Sequence, residues 1–259
     1  MSTNLKDIHP NAKIGKNVSI DSFTTIHEDV EIGEGTWIGS NVTIMNGARI
    51  GKNCKIFPGS VISAIPQDLK FGGEDSIVSI GDNTTIREYV TINRATNYSG
   101  VTSVGNNCLI MAYVHIAHDC HISDNAILVN SVQLGGHVEV GKHAIIGGIT
   151  AVHQFVKIGE HCMISGGSLV RKDVPPFVKV AKEPLTFIGI NAIGLKRKGF
   201  SEEKVIEIQN MYRIIFQESF NYTQAIEKIE NEFEPSSERD SIIKFIRESD
   251  RGIIKGQKK

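Results

Sequence analysis

Three histidines, one aspartate and one cysteine lie within the nine residues 114–122, which read VHIAHDCHI. Imidazole nitrogens bind metal ions, and a neutral imidazole also accepts a proton near neutral pH, as a general base must. A neighbouring aspartate can stabilise the imidazolium that results. The segment therefore fits a metal site, a general base with its supporting carboxylate, or three solvated histidines on a surface. The geometry of the surrounding chain has to decide between these three.

The composition is that of an ordinary globular protein. The 259 residues carry a formal net charge of −1, with 40% apolar and 22% charged residues, so no basic field points to nucleic acid. No apolar run is long enough for a membrane span, and the start, MSTNLKDIHP, lacks the apolar centre of a secretion signal. We expect a cytoplasmic protein with four free thiols.

Aliphatic residues recur at every sixth position from Ile8 to Val170. Of the 28 positions in this register, 25 are Ile, Val or Leu, and the exceptions are Asp68, Glu74 and Tyr98. A sustained period of six predicts a parallel β-helix in which three hexads form one triangular coil. All three exceptions fall in two interruptions, 63–79 and 93–103, after which the register resumes. These segments are predicted to be loops that leave the corners of the coil.

Two further columns follow the aliphatic one. The residue four positions later is small, and this column holds all four cysteines: Cys54, Cys108, Cys120 and Cys162. Without any CxxC pair, we interpret them as fillers of a tight interior corner and not as zinc ligands. Glycine often follows the aliphatic residue directly, which indicates a corner that needs an unusual backbone angle or a close approach.

The pattern changes near the C-terminus. Pro175 and Pro176 are expected to end the β-helix, and apolar residues take helical spacing from about residue 201. We therefore predict a mainly β fold. Residues 1–185 form a parallel β-helix with the two loops, and residues 186–259 form a small α-helical C-terminal domain.

Coils of three hexads bring distant residues into register. His118, Gly136 and Gln154 are predicted to form one stack, and Asp119, His137 and Phe155 the next. Gly135 and Gly136 would leave room for a ligand beside them. One patch is thereby predicted to collect the following side chains: His115, His118, His137, His153 and Gln154. This convergence favours a functional site over a decorated surface.

Several segments resemble the UDP-N-acetylglucosamine O-acyltransferase family across nearly the whole chain. They are HIAHDC (115–120), GGITAVHQF (147–155), DVPPFV (173–178), PQDLKFGGE (66–74) and GLKRKGF (194–200). The resemblance implies a left-handed β-helix that forms a homotrimer with sites between subunits. It implies transfer of a 3-hydroxyacyl group from acyl carrier protein to the 3-hydroxyl of UDP-N-acetylglucosamine, the first step of lipid A biosynthesis. Neither a metal nor a cofactor is expected.

The resemblance also assigns catalytic roles. His118 resembles the general base, Asp119 the carboxylate that supports it, and Gly136 the residue whose backbone N–H stabilises the oxyanion. The stacking of successive coils independently predicts that Gly136 lies beside His118.

The remaining family roles concern substrates. The residues that resemble substrate-positioning groups are His115, His137, His153 and Gln154. Asp68 and Lys70 resemble the sugar contacts, on a first loop expected to reach the neighbouring subunit's cleft. Asn191 and Arg197 resemble nucleotide contacts, although the run KRK (196–198) could also be a solvated surface or a docking site for the acidic carrier protein.

The chain departs from the family at two positions and is informative at a third. Ile193 stands where an acid that binds ribose is expected, and Lys198 stands where a second arginine is expected. Gly166 resembles the gauge of acyl-chain length. Since glycine leaves the groove open, we expect a long chain of about 14 carbons or more.

Other functions remain compatible with the sequence. The related N-acyltransferase of the same pathway is one, but it would carry an extra N-terminal domain, whereas the hexads here begin by Ile8. A zinc-dependent hydratase that uses the histidine cluster is another, and a non-catalytic β-helix scaffold is a third. The base chemistry would also serve a 3-amino analogue of the acceptor sugar.

Overall fold

Twenty-seven short strands and four helices lie in the residues that the computed structural model describes, 5–218 and 220–256. In chain order the strands are β1 (Asp7–Ile8), β2 (Lys13–Ile14), β3 (Ser19–Ile20), β4 (Thr25–Ile26), β5 (Val30–Ile32), β6 (Trp37–Ile38), β7 (Thr43–Ile44), β8 (Ala48–Ile50), β9 (Lys55–Ile56), β10 (Val61–Ala64), β11 (Ile77–Ile80), β12 (Thr85–Ile86), β13 (Thr91–Asn93), β14 (Val101–Val104), β15 (Leu109–Ile110), β16 (His115–Ile116), β17 (His121–Ile122), β18 (Ile127–Leu128), β19 (Gln133–Leu134), β20 (Glu139–Val140), β21 (Ile145–Ile146), β22 (Ala151–Val152), β23 (Lys157–Ile158), β24 (Met163–Ile164), β25 (Leu169–Val170), β26 (Val178–Ala181) and β27 (Thr186–Ile190). The helices are α1 (Ala192–Arg197), α2 (Glu202–Gln217), α3 (Tyr222–Glu232) and α4 (Ser237–Arg247).

Strands β1 to β25 wind around a three-sided prism. Consecutive strands belong in turn to a first, a second and a third sheet, and each strand pairs in parallel with the strand of the next coil. His115 pairs with Gln133, and Gln133 pairs with Ala151, so one coil takes three hexads. The predicted register is confirmed. The chain turns from the first sheet to the second at the first edge (for example 117–120), from the second to the third at the second edge (141–144), and from the third to the first at the third edge (147–150).

The aliphatic column fills the inside of the prism. Every Ile, Val and Leu of this register from Ile26 to Val170 is buried, and Ile116 has no exposed surface. Complete burial of such a side chain stabilises the fold by roughly 1.5–3 kcal/mol, and the ladder repeats this contribution coil after coil. The four cysteines lie inside as well, all buried and unpaired.

The corners use two different backbone devices. On the first edge Asp119, His137 and Phe155 have positive φ angles of 58°, 61° and 63°. The glycine directly after the aliphatic residue has a different role, because it lets the backbones of successive coils approach each other closely. A Cβ on Gly135 would lie 2.8 Å from the backbone nitrogen of Gln154 in the next coil. The unusual angle therefore belongs to the residue two positions after the glycine.

Both interruptions leave from the first edge. Loop 1 (65–76) joins β10 to β11, and loop 2 (94–100) joins β13 to β14. Val61 pairs with Thr91, and Thr91 pairs with His115, so the loops are inserted without breaking the ladder. The predicted loop segments were 63–79 and 93–103. Each loop is shorter than predicted, because the first and last residues of each segment belong to strands that pair with neighbouring coils.

The C-terminal segment closes one end of the prism. Strand β26 continues the third sheet in parallel with β24, and β27 then pairs with β26 in the antiparallel direction. Helices α2, α3 and α4 lie where helical spacing was predicted, and the six-residue α1 was not predicted. The buried hydroxyl of Tyr212 on α2 donates to the Pro176 carbonyl at 2.6 Å and fastens this helix to the last coil. A division of the chain at residue 185 stays a prediction. None of the described helices is long and apolar enough to cross a membrane.

Candidate active site

A hydrogen-bonded histidine and aspartate form the centre of the first edge. Nδ1 of His118 lies 2.7 Å from Oδ2 of Asp119, whose side chain is fully buried. Burial acts to raise the pKa of Asp119, but hydrogen bonds from Ser99, His118 and Thr96 outweigh it and lower the pKa to about 2. The carboxylate is therefore ionised and can accept a hydrogen bond from Nδ1–H of His118. In the tautomer that carries its proton on Nδ1, Nε2 is left as a free acceptor.

Loop 1 brings a second carboxylate to that free nitrogen. Oδ2 of Asp68 lies 4.0 Å from Nε2 of His118 in the same chain. Its aspartate therefore lies beside the histidine of its own subunit. That the loop also reaches a neighbouring subunit's cleft stays a prediction. The adjacent Lys70 is exposed, and its amide donates to Oδ1 of Asp68 at 3.0 Å.

Gly136 forms the floor under the imidazole. A Cβ at this position would lie 2.7 Å from both Cε1 and Nε2 of His118, so only glycine leaves the nitrogen accessible. At the equivalent position on the second edge, the amides of Lys52, Asp82 and Asn106 donate to side chains of the next coil at 2.7–2.8 Å. Within 5–218 and 220–256, no group accepts a hydrogen bond from the Gly136 amide. Gly136 is buried against the imidazole, and its N–H has no partner among these residues.

An aromatic stack holds the second histidine of the edge. His137 stacks on Phe155 with ring centroids 4.2 Å apart, and the Tyr98 ring from loop 2 lies nearly perpendicular to His137 with centroids 4.4 Å apart. Burial lowers the pKa of His137 and keeps the ring neutral. Its Nδ1 is buried without a hydrogen-bond partner, 3.9 Å from Oδ2 of Asp119. Tyr98 was missed as a site residue, although it is one of the three exceptions to the hexad register.

The other predicted substrate residues flank this centre. His115 lies on the first sheet, where its Nδ1 is 2.8 Å from Thr91 Oγ1, and burial followed by the charge of His118 lowers its pKa. Nδ1 of His153 lies 3.1 Å from Nη2 of Arg251, and Gln154 is exposed beside it. Arg251 comes from the segment after α4, and no pattern in the sequence connected it with this edge.

Two predicted groups lie on other edges. Asn191 caps α1 by accepting from the Gly194 amide at 3.3 Å, and it donates to the His161 carbonyl on the second edge at 2.9 Å. Arg197 is exposed at the end of that helix. Gly166 lies on the third edge, where its Cβ would be 3.0 Å from the Gly148 carbonyl. One chain thus distributes the predicted catalytic, nucleotide and acyl-chain residues over three edges.

The geometry also bears on a metal centre. His118, Asp119 and His137 offer ligand atoms within 4.8 Å of one another, the one such group among the described residues. Two ligands of a tetrahedral zinc ion at 2.0–2.2 Å lie about 3.4 Å apart. The 2.7 Å between His118 and Asp119 is instead a short hydrogen bond. This arrangement suits proton transfer better than zinc ligation.

Comparisons with known proteins agree with the fold and the motifs. Residues 173–254 match the family described as "Udp N-acetylglucosamine O-acyltransferase; Domain 2", and residues 29–64 and 102–136 match "Bacterial transferase hexapeptide (six repeats)". The chain is 53% identical to the acyl-[acyl-carrier-protein]–UDP-N-acetylglucosamine O-acyltransferase of a Sulfurihydrogenibium species, over 95% of this chain and 94% of that one. It is 43% identical to the protein of the same name from Thermodesulfovibrio yellowstonii, over 96% of each.

Solved structures give the same result. The UDP-N-acetylglucosamine acyltransferase of Bacteroides fragilis superposes with a TM-score of 0.96 at 48% identity, covering 98% of this chain and all of that one. The fold is a left-handed parallel β-helix with a small helical C-terminal part. The chain belongs to the UDP-N-acetylglucosamine O-acyltransferase family.

Proposed function

We propose that the protein transfers a 3-hydroxyacyl chain from acyl carrier protein to the 3-hydroxyl of UDP-N-acetylglucosamine, the first step of lipid A biosynthesis, with His118 as the general base. The activity follows from the names that its relatives carry over almost their whole length. One observation supports the mechanism above all. The hydrogen bond to Asp119 commits Nδ1 of His118 and leaves Nε2 open beside Gly136.

The reaction needs a base because a sugar hydroxyl is a poor nucleophile. Nε2 of His118 takes the proton of the 3-hydroxyl while its oxygen attacks the thioester carbonyl of the donor. The new C–O bond forms and the C–S bond breaks. The imidazolium then returns the proton to the departing thiolate, so that an ester and a free carrier thiol result.

Two neighbours stabilise the charges that develop. Asp119, ionised and buried, compensates the imidazolium through its 2.7 Å hydrogen bond. The unoccupied amide of Gly136 suits the carbonyl oxygen, which becomes an oxyanion during attack. Loss of one such donor commonly costs about 100- to 1,000-fold in kcat. Asp68, 4.0 Å from Nε2, is placed to accept a hydrogen bond from the sugar.

We further propose that the active enzyme is a homotrimer whose sites lie between subunits. The residues assigned to one substrate complex occupy different edges of one prism, and a single chain does not unite them. A closed ring of three copies that brings the first edge of one subunit to the other edges of its neighbour would form three equivalent sites. His115, His137, His153 and Gln154 would position the sugar from the first edge, while Asn191 and Arg197 would bind the nucleotide from the neighbour.

The remaining roles are part of the same proposal. Gly166 would end an open groove for an acyl chain of about 14 carbons or more. We place the enzyme in the cytoplasm, where the unpaired state of its four buried cysteines fits a reducing compartment.

Acyl transfer to UDP-N-acetylglucosamine from a series of 3-hydroxyacyl carrier proteins tests the function. We expect product with the wild type and a loss of at least about 100-fold in His118→Ala. Nearly full activity in that variant would contradict the base assignment. A wild type that is inert with every donor would contradict the proposed substrates, and a zinc determination would then follow.

Mixing two inactive variants tests the shared site. His118→Ala and Arg197→Ala are to be unfolded together and refolded as mixed trimers. If one site combines His118 of one subunit with Arg197 of the next, the mixture regains activity that neither variant has alone. A mixture as inactive as its components would contradict a site between subunits.

A further inference from the structure

Loop 2 surrounds the Asp119 carboxylate with hydrogen-bond donors. The hydroxyl of Thr96 donates to Oδ2 at 2.8 Å, and the hydroxyl of Ser99 donates to Oδ1 at 2.5 Å. The backbone amides of the same two residues donate to Oδ1 at 3.2 Å and 3.1 Å. Together with His118 Nδ1, these groups occupy both oxygens of a side chain that has no exposed surface.

The donor set favours an ionised carboxylate. The hydroxyls of Thr96 and Ser99 can donate or accept, but the two backbone amides can only donate, so a proton on Oδ1 would weaken the bonds from both amides. The shell therefore offsets the cost of burying the charge and accounts for a pKa of about 2. Because the bonds reach both oxygens, they also fix the rotation of the carboxylate about its Cβ–Cγ bond.

We infer that Thr96 and Ser99 are positioning residues for catalysis, which hold the Asp119 carboxylate ionised and aimed at Nδ1 of His118. Neither hydroxyl touches the reacting atoms, and both act through Asp119. The inference deepens the proposed function and rests on the general-base role of His118. It also assigns a role to loop 2, which is inserted at the first edge, where the Asp119 carboxylate lies.

Removal of the two hydroxyls tests the inference. Thr96→Val, Ser99→Ala and the double variant delete the donors and keep the backbone amides. Thr96→Ser and Ser99→Thr keep them. Thr84→Val is the control, because Thr84 is a threonine whose hydroxyl donates to the Gly105 carbonyl at 2.7 Å, away from the histidine pair. Thr84 is fully buried and Thr96 and Ser99 are half-buried, so the control sets an upper limit on the purely structural cost of losing such a hydroxyl.

The readouts are kcat and KM for UDP-N-acetylglucosamine from about pH 4 to about pH 9, with folding checked by thermal unfolding. We expect each single deletion to lower kcat about 10-fold and the double variant about 100-fold, while KM changes less than about 3-fold. The loss should grow below about pH 5, because fewer donors raise the pKa of Asp119 from its value of about 2 and protonate the carboxylate earlier as the pH falls. The Ser and Thr replacements should retain most of the activity.

Two results would overturn the inference. One is a double variant with kcat within about 2-fold of the wild type. The other is a loss that is equal at all pH values, is matched by Thr84→Val and is not rescued by Thr96→Ser, because that indicates a merely structural role. His118→Ala, measured in parallel, separates the two proposals. If it stays active, the base role fails and this inference with it, whereas an inactive His118→Ala beside unaffected loop variants rejects the positioning role alone.

Discussion

Replacement of Gly136 by alanine should remove the base function without unfolding the chain. The new Cβ would lie 2.7 Å from Cε1 and Nε2 of His118, whereas carbon atoms in contact are about 3.5–4.0 Å apart. The imidazole would have to retreat by about 1 Å. Its hydrogen bond to Asp119 and the His137 ring, 5.0 Å away by centroids, oppose that movement. A displacement of this size commonly costs about 100-fold in rate, equivalent to about 2.7 kcal/mol of transition-state stabilisation.

Steady-state kinetics with saturating acyl carrier protein substrate measures the effect. We expect Gly136→Ala to lower kcat at least about 100-fold and to keep the thermal unfolding midpoint within a few degrees of the wild type. Gly72→Ala on loop 1 is the control, because its Cβ would meet only the flexible end of Glu74 at 3.5 Å. An alanine variant within about 10-fold of wild-type kcat would refute the idea that this glycine keeps Nε2 accessible.

Three further predictions follow from the structure. Burial raises the pKa of the Cys120 thiol to about 12 and that of Cys162 higher still. We therefore expect a disulfide reagent to label the four buried thiols only when the protein unfolds. Labelling of the native protein would contradict the placement of the four cysteines inside the prism. Burial also lowers the pKa of His161 to about 4, so the folded state keeps this ring neutral while the unfolded chain binds a proton below about pH 6.5. Thermal stability should therefore fall as the pH drops from about 6.5 to about 4, and His161→Phe should remove about 3 kcal/mol of that dependence. An unchanged slope would reject His161 as its source. Gly166→Met should shorten the preferred acyl chain by about 2–4 carbons, determined by chromatography of the products, and an unchanged preference would show that this edge does not limit the chain.

The structure of the β-helix was predictable from the sequence because one repeat length, 18 residues per coil, sets its geometry. Parallel coils of three hexads place residue i+18 above residue i, so His118 was expected to meet Gly136 and Asp119 to lie below His137, as the structure has them. The same register predicted that the cysteines are buried. The aliphatic pattern could not settle the handedness, which came from the resemblance to the family.

The contributions of the loops and of the C-terminal segment were not predictable in this way. Thr96, Ser99 and Tyr98 reach the site through the conformation of a non-repeating loop, and Arg251 through contacts with residues almost 100 positions away. Such contacts have no period that a sequence can reveal. The six-residue α1 is also too short for helical spacing to be recognised, so the residues around Asn191 were assigned by resemblance alone.

The ladder also determines which changes in chain length the enzyme can tolerate. Deletion of one hexad between Asp119 and Gly136 would preserve the sequence pattern and still bury aliphatic side chains. However, every later residue would move to the next face of the prism. Gly136 would then no longer lie on the edge that holds His118. Deletion of a whole coil would keep each face in place but would remove a layer of the groove. A change in the length of loop 1 or loop 2 would not shift the register of the coils, because each loop leaves and returns at the same corner. Insertions and deletions that preserve activity should therefore be confined to these two loops and to the segment after the last coil.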